Sequence, residues 1–212
     1  MNGRTVRQAM HPSGIRGRVF AKLMEWLNTP AYQRALALID PAPDETLLEI
    51  GFGTGALLLM LAARLSGGLL AGIDPSALMV QLARERLTRH CPPVRFDLRQ
   101  GNDRDIDWPQ GYFSHVAALH SFQFWSEPHA TLQKIKKVLR PDGQLTLILR
   151  SHSRGRPEWL PNVISRSEDE ILETLEALDS AGYDRVTRHA NVGSSAVITA
   201  GNHPWSHSRL CG

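Results

Sequence analysis

Cysteine is scarce in this sequence. Cys91 and Cys211 are the only two in 212 residues, far apart and without metal or redox spacing. A disulfide framework is therefore unsupported, and a reducing compartment is expected. A long apolar run is also missing. The most apolar stretch, 56–73, is broken by Arg64 and by Gly67-Gly68, so it offers no uninterrupted bilayer span. The first residues hold no apolar core of a secretory signal. The expectation is a cytoplasmic protein without a membrane partner. Nor is there a strong excess of one charge: the net value is +3 and the basic residues are scattered. Arg84, Arg86 and Arg89 surround Glu85 on one expected helix. That reads as a solvated face, because no aromatic or glycine pattern of a nucleic-acid module accompanies it. No repeat, low-complexity tract or linker divides the chain.

What is present suits an enzyme-sized globule. The length fits one α/β domain and is too short for two, and a 42% hydrophobic content supports a sizeable core. Two helical patterns, 18–28 and 31–40, are parted by Thr29-Pro30. From residue 45 short apolar runs alternate with helical ones, the pattern of βαβ units. Strands are expected near 45–50, 69–74, 93–98, 113–119, 143–150, 183–190 and 194–201. Helices are expected near 56–66, 76–89, 127–139 and 168–181. Pro141-Asp142-Gly143 reads as a turn, and the short connection at Asn191-Val192-Gly193 suggests that the last two strands form a hairpin. The fold class follows: a doubly wound, mostly parallel, seven-stranded Rossmann-like α/β sheet with a C-terminal β-hairpin and N-terminal lid helices. The whole chain, 1–212, is expected to be one domain, with a lid at 1–40, a core at 45–201 and a tail at 202–212.

In one place strand, glycine turn and helix are contiguous: Leu47-Leu48-Glu49-Ile50 runs into Gly51-Phe52-Gly53-Thr54-Gly55 and then the helix from Ala56. Glycine lets the backbone turn tightly and approach a ligand, and the helix start offers free amides. The next strand delivers Asp74 to the same rim, where a carboxylate can accept ribose hydroxyls. Gly51, Gly53, Ala56 and Asp74 also satisfy a relaxed dinucleotide fingerprint, so an NAD(P)-dependent oxidoreductase is a rival. Glu49 favours an adenosyl-sulfonium ligand instead. An acid there can orient the loop and lie near the ammonium of an amino-acid tail, but is a poor neighbour for a pyrophosphate. Gln100-Gly101-Asn102-Asp103 is poised at the same rim. There Asn102 could accept from an adenine amino group while the Asp103 amide faces a ring nitrogen.

The chain resembles the class I S-adenosylmethionine-dependent methyltransferases of the bacterial small-molecule type. The resemblance rests on 47–55, on Gly72-Ile73-Asp74-Pro75-Ser76, on Gly101-Asn102-Asp103, and on Trp108-Pro109-Gln110-Gly111-Tyr112-Phe113. Val138-Leu139-Arg140-Pro141-Asp142-Gly143 and Ala181-Gly182-Tyr183 extend it to roughly residues 40–200. It departs from the family at Asn102 and Ser114, where Asp is usual, and at Asp142-Gly143 in place of two glycines. The resemblance implies S-adenosylmethionine as cofactor, held by Glu49, Gly51, Phe52, Gly53, Gly55, Asp74, Pro75, Asn102, Asp103 and His120. It also implies in-line methyl transfer to a small molecule. A subunit that binds the cofactor without chemistry is a further alternative.

His120, directly after the fourth strand, is the candidate for orienting substrate or accepting a proton; its alternative role is to cap the strand. Phe122, Phe124 and Trp125 read either as core or as a substrate cage. Ser13, Gly14 and Tyr32 in the lid, and His152, Arg154 and Trp159 in an irregular excursion, are candidates to touch ligand. Helix packing is the alternative for Tyr32, and a solvated loop for the excursion. His203, His207 and Cys211 share a four-residue spacing, but Pro204 and the serines around them favour a frayed tail, so no metal is expected.

Overall fold

The computed structural model describes residues 14–90, 94–152 and 165–202. Ser13, Arg154, Trp159 and the His203, His207 and Cys211 set lie outside the described residues. In chain order the elements are α1 (Gly14–Ile39), β1 (Thr46–Ile50), α2 (Ala56–Ala62), β2 (Leu69–Asp74), α3 (Ala77–His90) and β3 (Arg95–Gln100). They continue with β4 (Phe113–Leu119), α4 (Pro128–Val138), β5 (Leu139–Arg150), α5 (Glu168–Ser180), β6 (Asp184–Val192) and β7 (Ser195–Gly201). Short 3-10 turns stand at Asp103–Asp105 and Phe122–Phe124. The seven strands form one sheet in the order β3-β2-β1-β4-β5-β7-β6. β7 runs antiparallel to both neighbours, and the other pairings are parallel.

Side chains alternate across a strand, and here the alternation feeds two cores. Leu48, Ile50, Val116, Ala118, Leu145 and Leu147 face Leu132, Ile135, Ile171 and Leu178 of α4 and α5. Leu47, Leu70, Ala117, Leu119 and Ile148 face Ala31, Ala35, Leu57, Leu61 and Ala83 of α1, α2 and α3. A sheet covered on both faces explains why its strands read as near-continuous apolar runs. Among the described residues, no helix is long and apolar enough to cross a membrane.

Two expected boundaries are corrected. The break at Thr29-Pro30 is absent: α1 is one helix with Pro30 inside. An interior proline removes a donor and crowds the carbonyl four residues back. Tertiary contacts outweigh that cost. Glu25, before the proline, is bonded by Thr54 and Arg86, while Ala31, Ala35 and Ile39, after it, are buried. The turn at Pro141-Asp142-Gly143 lies within β5, which begins at Leu139. Phe113 pairs with Leu139 and His115 with Gln144, so six residues of β5 oppose three of β4 in a bulge. Asn202 gathers the displaced carbonyls. Its Nδ2 lies 2.8–3.1 Å from the oxygens of Lys136, Leu139 and Arg140.

Candidate active site

The carboxyl ends of the parallel strands share one rim, where open α/β sheets bind ligands. A cleft of about 590 Å³ opens there, within the range of small-molecule sites. The glycine loop forms its floor. Gly51 has φ 75°, and a Cβ on it would stand 2.5 Å from that of Ser121, so a side chain is excluded twice over. Ser121 Oγ donates to Ile50 O at 2.6 Å, and Gly51 N–H to Ile73 O at 2.7 Å, tying the loop to both neighbouring strands. Around Gly53, by contrast, an added Cβ would meet nothing within 4 Å. The loop is packed beneath Gly51 and open above Gly53.

Asp74 ends β2. Its Oδ2 accepts from Gly53 N–H at 2.8 Å and its Oδ1 from Ser76 N–H at 2.9 Å. The carboxylate is thus fixed in direction. Glu49 lies beside it, 2% exposed, with Oε2 lacking a hydrogen-bond partner among the described residues. Burial lifts the Glu49 pKa well above the usual carboxylate range. The Asp74 charge adds to the rise, and a backbone bond from Leu58 opposes it. A buried, under-bonded acid is costly unless a donor or cation completes it.

At the next strand end, Asn102 Oδ1 accepts from Arg104 N–H and Asp105 Oδ2 from Asn102 N–H, a reciprocal cap on the 3-10 turn. Asp103 Oδ2 accepts from Thr131 Oγ at 2.6 Å. Both residues line the cleft, with Asn102 capping the turn and Asp103 tying it to α4. His120 follows β4 with φ 55° and shares a 3.0 Å hydrogen bond between Nε2 and Ser195 Oγ. Burial first, and the nearby Arg150 charge second, push its pKa down to about 4.

Glu25, Asn28 and Tyr32 lie on one face of α1 and cover the rim. Glu25 is held by Arg86 at 3.0 Å and Thr54 at 2.7 Å, and Asn28 Oδ1 accepts from Arg150 at 2.8 Å. Tyr32 has its pKa pushed up to about 12, by burial and then by the Glu49 charge, against a hydrogen bond with Asn28.

The cleft brings together Glu49, Gly51, Phe52, Gly53, Asp74, Pro75, Asn102, Asp103, His120 and Tyr32 from the expected set. Phe52 also packs its ring against Gly72. Three expected residues stand elsewhere. Gly55 shapes the entry to α2 against Ala83. Phe122 is buried in the core, its ring 4.8 Å from that of Trp125 and beneath Arg166, whereas Phe124 and Trp125 do line the cleft. His152 is exposed and borders a separate groove with Arg166, Glu168 and Asn191. Ser114 donates to Thr46 O and is structural. Sequence reasoning missed Glu25, Asn28, Gln123 and Arg150. Glu25 and Asn28 share the helix face of Tyr32 only because α1 runs through Pro30, which the expected break at Thr29-Pro30 concealed.

Comparison with known proteins agrees with this geometry. Residues 47–143 match the family described as "Methyltransferase domain". The nocamycin O-methyltransferase of Saccharothrix syringae is 36% identical over 120 residues, 56% of this chain and 42% of that protein. The carboxy-S-adenosyl-L-methionine synthase of Chromohalobacter salexigens is 30% identical over 193 aligned positions, 76% of this chain and 72% of that protein. Among solved structures, the partner of the Haloferax volcanii Trm112 methyltransferase activator superposes with a TM-score of 0.74 at 20% identity. That superposition covers 88% of this chain and 94% of that one. The chain spans about half the length, 42% to 57%, of the first curated relatives it matches. Fold, motif order and relatives converge: the chain belongs to the class I S-adenosylmethionine-dependent methyltransferase family.

Proposed function

We propose that the chain transfers the methyl group of S-adenosylmethionine to a small-molecule acceptor. The observation that carries this reading is the pair of buried acids at the glycine loop. Asp74 is locked by two backbone donors, while Glu49 has an oxygen without a partner among the described residues. These residues fit a ligand with ribose hydroxyls and a cationic tail. Asp74 would accept the hydroxyls, and Glu49 would complete its bonding against the ammonium. A pyrophosphate would meet Glu49 unfavourably.

When bound, S-adenosylmethionine supplies a methyl group already activated by a sulfonium, so the protein contributes positioning and exclusion of water. Tyr32, Phe124 and Trp125 would shield the reacting space beside His120. The helix over the rim, strapped down through Glu25 and Arg86, would serve as the lid. A relative named as an O-methyltransferase of nocamycin and the size of the cleft both support a small acceptor.

The test is to incubate the protein with S-adenosylmethionine and a fractionated pool of cellular small molecules, then follow S-adenosylhomocysteine by mass spectrometry. Its formation together with a product heavier by one CH2 group is expected. Binding of the cofactor without turnover would favour a non-catalytic subunit, and binding of NAD in its place would favour the oxidoreductase.

A further inference from the structure

Among the described residues that line the cleft, His120 is the one, apart from glycines, with a left-handed backbone, φ 55°. Such strain persists only where the surroundings over-determine it, and it gathers at functional sites. Three bonds hold His120. Its N–H donates to Ile148 O at 2.8 Å, its carbonyl accepts from Gln123 Nε2 at 2.6 Å, and its ring Nε2 meets Ser195 Oγ at 3.0 Å. The first two fix the backbone. The third fixes the ring and comes from two strands away, because β7 inserts between β5 and β6 and sets Ser195 opposite Arg150.

Ser195 is buried, and among the described residues His120 Nε2 is the one hydrogen-bond partner of its hydroxyl. A buried O–H left without an acceptor costs more than a spare lone pair. The hydroxyl therefore donates to Nε2. A neutral imidazole that accepts at one nitrogen carries its proton on the other, and the other, Nδ1, is left to the cleft that His120 lines.

We propose that Ser195 is a positioning residue that holds His120 as the Nδ1–H tautomer, so that His120 meets the methyl acceptor as an N–H donor. This rests on the proposed methyl transfer and narrows it. The acceptor presents an unprotonated oxygen, a carboxylate or a phenolate, to His120. No proton has to be removed by His120 in the transfer. The Arg150 guanidinium, close enough to act on the imidazole, favours the same negative oxygen. The depressed basicity of His120 is consistent with a donor rather than a base.

The direct test is long-range proton–nitrogen correlation NMR on protein labelled at histidine, with His120→Asn used to assign the signals. At neutral pH the wild type should show His120 protonated at Nδ1 and bare at Nε2. Ser195→Ala should move the ring toward the Nε2–H form, and Ser195→Thr, which keeps the hydroxyl, should restore the wild-type pattern. S-adenosylhomocysteine affinity should be unchanged in Ser195→Ala, which separates a change of tautomer from a loss of fold. With S-adenosylhomocysteine bound, benzoate should shift the Nδ1–H signal and benzylamine should not. A wild-type ring protonated at Nε2, a Ser195→Ala ring identical to wild type, or a response to benzylamine in place of benzoate would overturn the proposal. Failure of S-adenosylhomocysteine to bind would instead count against the proposed function, since the tautomer is read in the ligand-free protein.

Discussion

Replacing Asp74 by Asn tests the floor of the cleft with almost no change in size. The two carboxylate oxygens accept from Gly53 N–H at 2.8 Å and Ser76 N–H at 2.9 Å. An amide has one oxygen, so in either orientation one backbone donor faces an NH2 group. A hydrogen bond to a charged group contributes about 1.5–3 kcal/mol. Losing one should lower the melting temperature by roughly 3–12 °C, at about 2–4 °C per kcal/mol for a chain of this size. Because Gly53 is the loop residue that Asp74 anchors, S-adenosylhomocysteine binding should weaken by a comparable energy, roughly 10- to 150-fold in Kd. Differential scanning calorimetry reads the first effect and isothermal titration the second. The Asp74 charge also contributes to the raised Glu49 pKa, so that pKa should fall toward the ordinary range in the variant. An Asp74→Asn protein that melts with the wild type and binds with wild-type affinity would refute the reasoning.

Other perturbations should separate folding from binding. Glu49→Gln removes a buried acid whose folded pKa lies above its unfolded value. The unfolded chain ionises first, so stability is lost as pH rises above the unfolded pKa. Thermal melts should therefore show the variant gaining on the wild type as pH rises above the ordinary carboxylate range, while titration shows its ligand affinity reduced by about 1.5–3 kcal/mol. Gly51→Ala places a Cβ 2.5 Å from Ser121 at φ 75° and should lose about 2 kcal/mol or more in urea unfolding. Gly53→Ala meets open space at φ 54°, so it should fold and show its main deficit in S-adenosylhomocysteine titration. Folded His120 titrates at about 4 against 6.5 when unfolded. Its contribution is complete above pH 6.5 and lost as pH falls toward 4, about 3 kcal/mol in all. His120→Gln should flatten that slope in acid-unfolding curves, spare ligand binding and reduce turnover.

The fold was legible wherever local pattern and tertiary role coincide. Short apolar runs between helical stretches marked the strands, and Gly51–Gly55 marked the passage from β1 to α2 because its conformations admit little else. Asp74 was legible from its place at a strand end. Elements governed by distant partners were not. Pro30 reads locally as a helix break, and only the anchoring of Glu25 by Arg86 and the burial of Ala35 carry α1 through it. Pro141-Asp142-Gly143 reads as a turn, yet Asn202, some sixty residues later, binds it into β5 as a bulge. Phe122 and Phe124 look equivalent in sequence, but the 3-10 turn sends one into the core and the other to the cleft. Ser195 could not be seen at all, since its approach to His120 depends on the place of β7 between β5 and β6.

The most direct measurement of the central claim is a crystal structure of the protein grown with S-adenosylhomocysteine. It should show the ribose on Asp74, the ammonium on Glu49 and the sulfur facing His120. Density for the nucleoside elsewhere on the molecule, or a cleft closed by its own side chains, would contradict it.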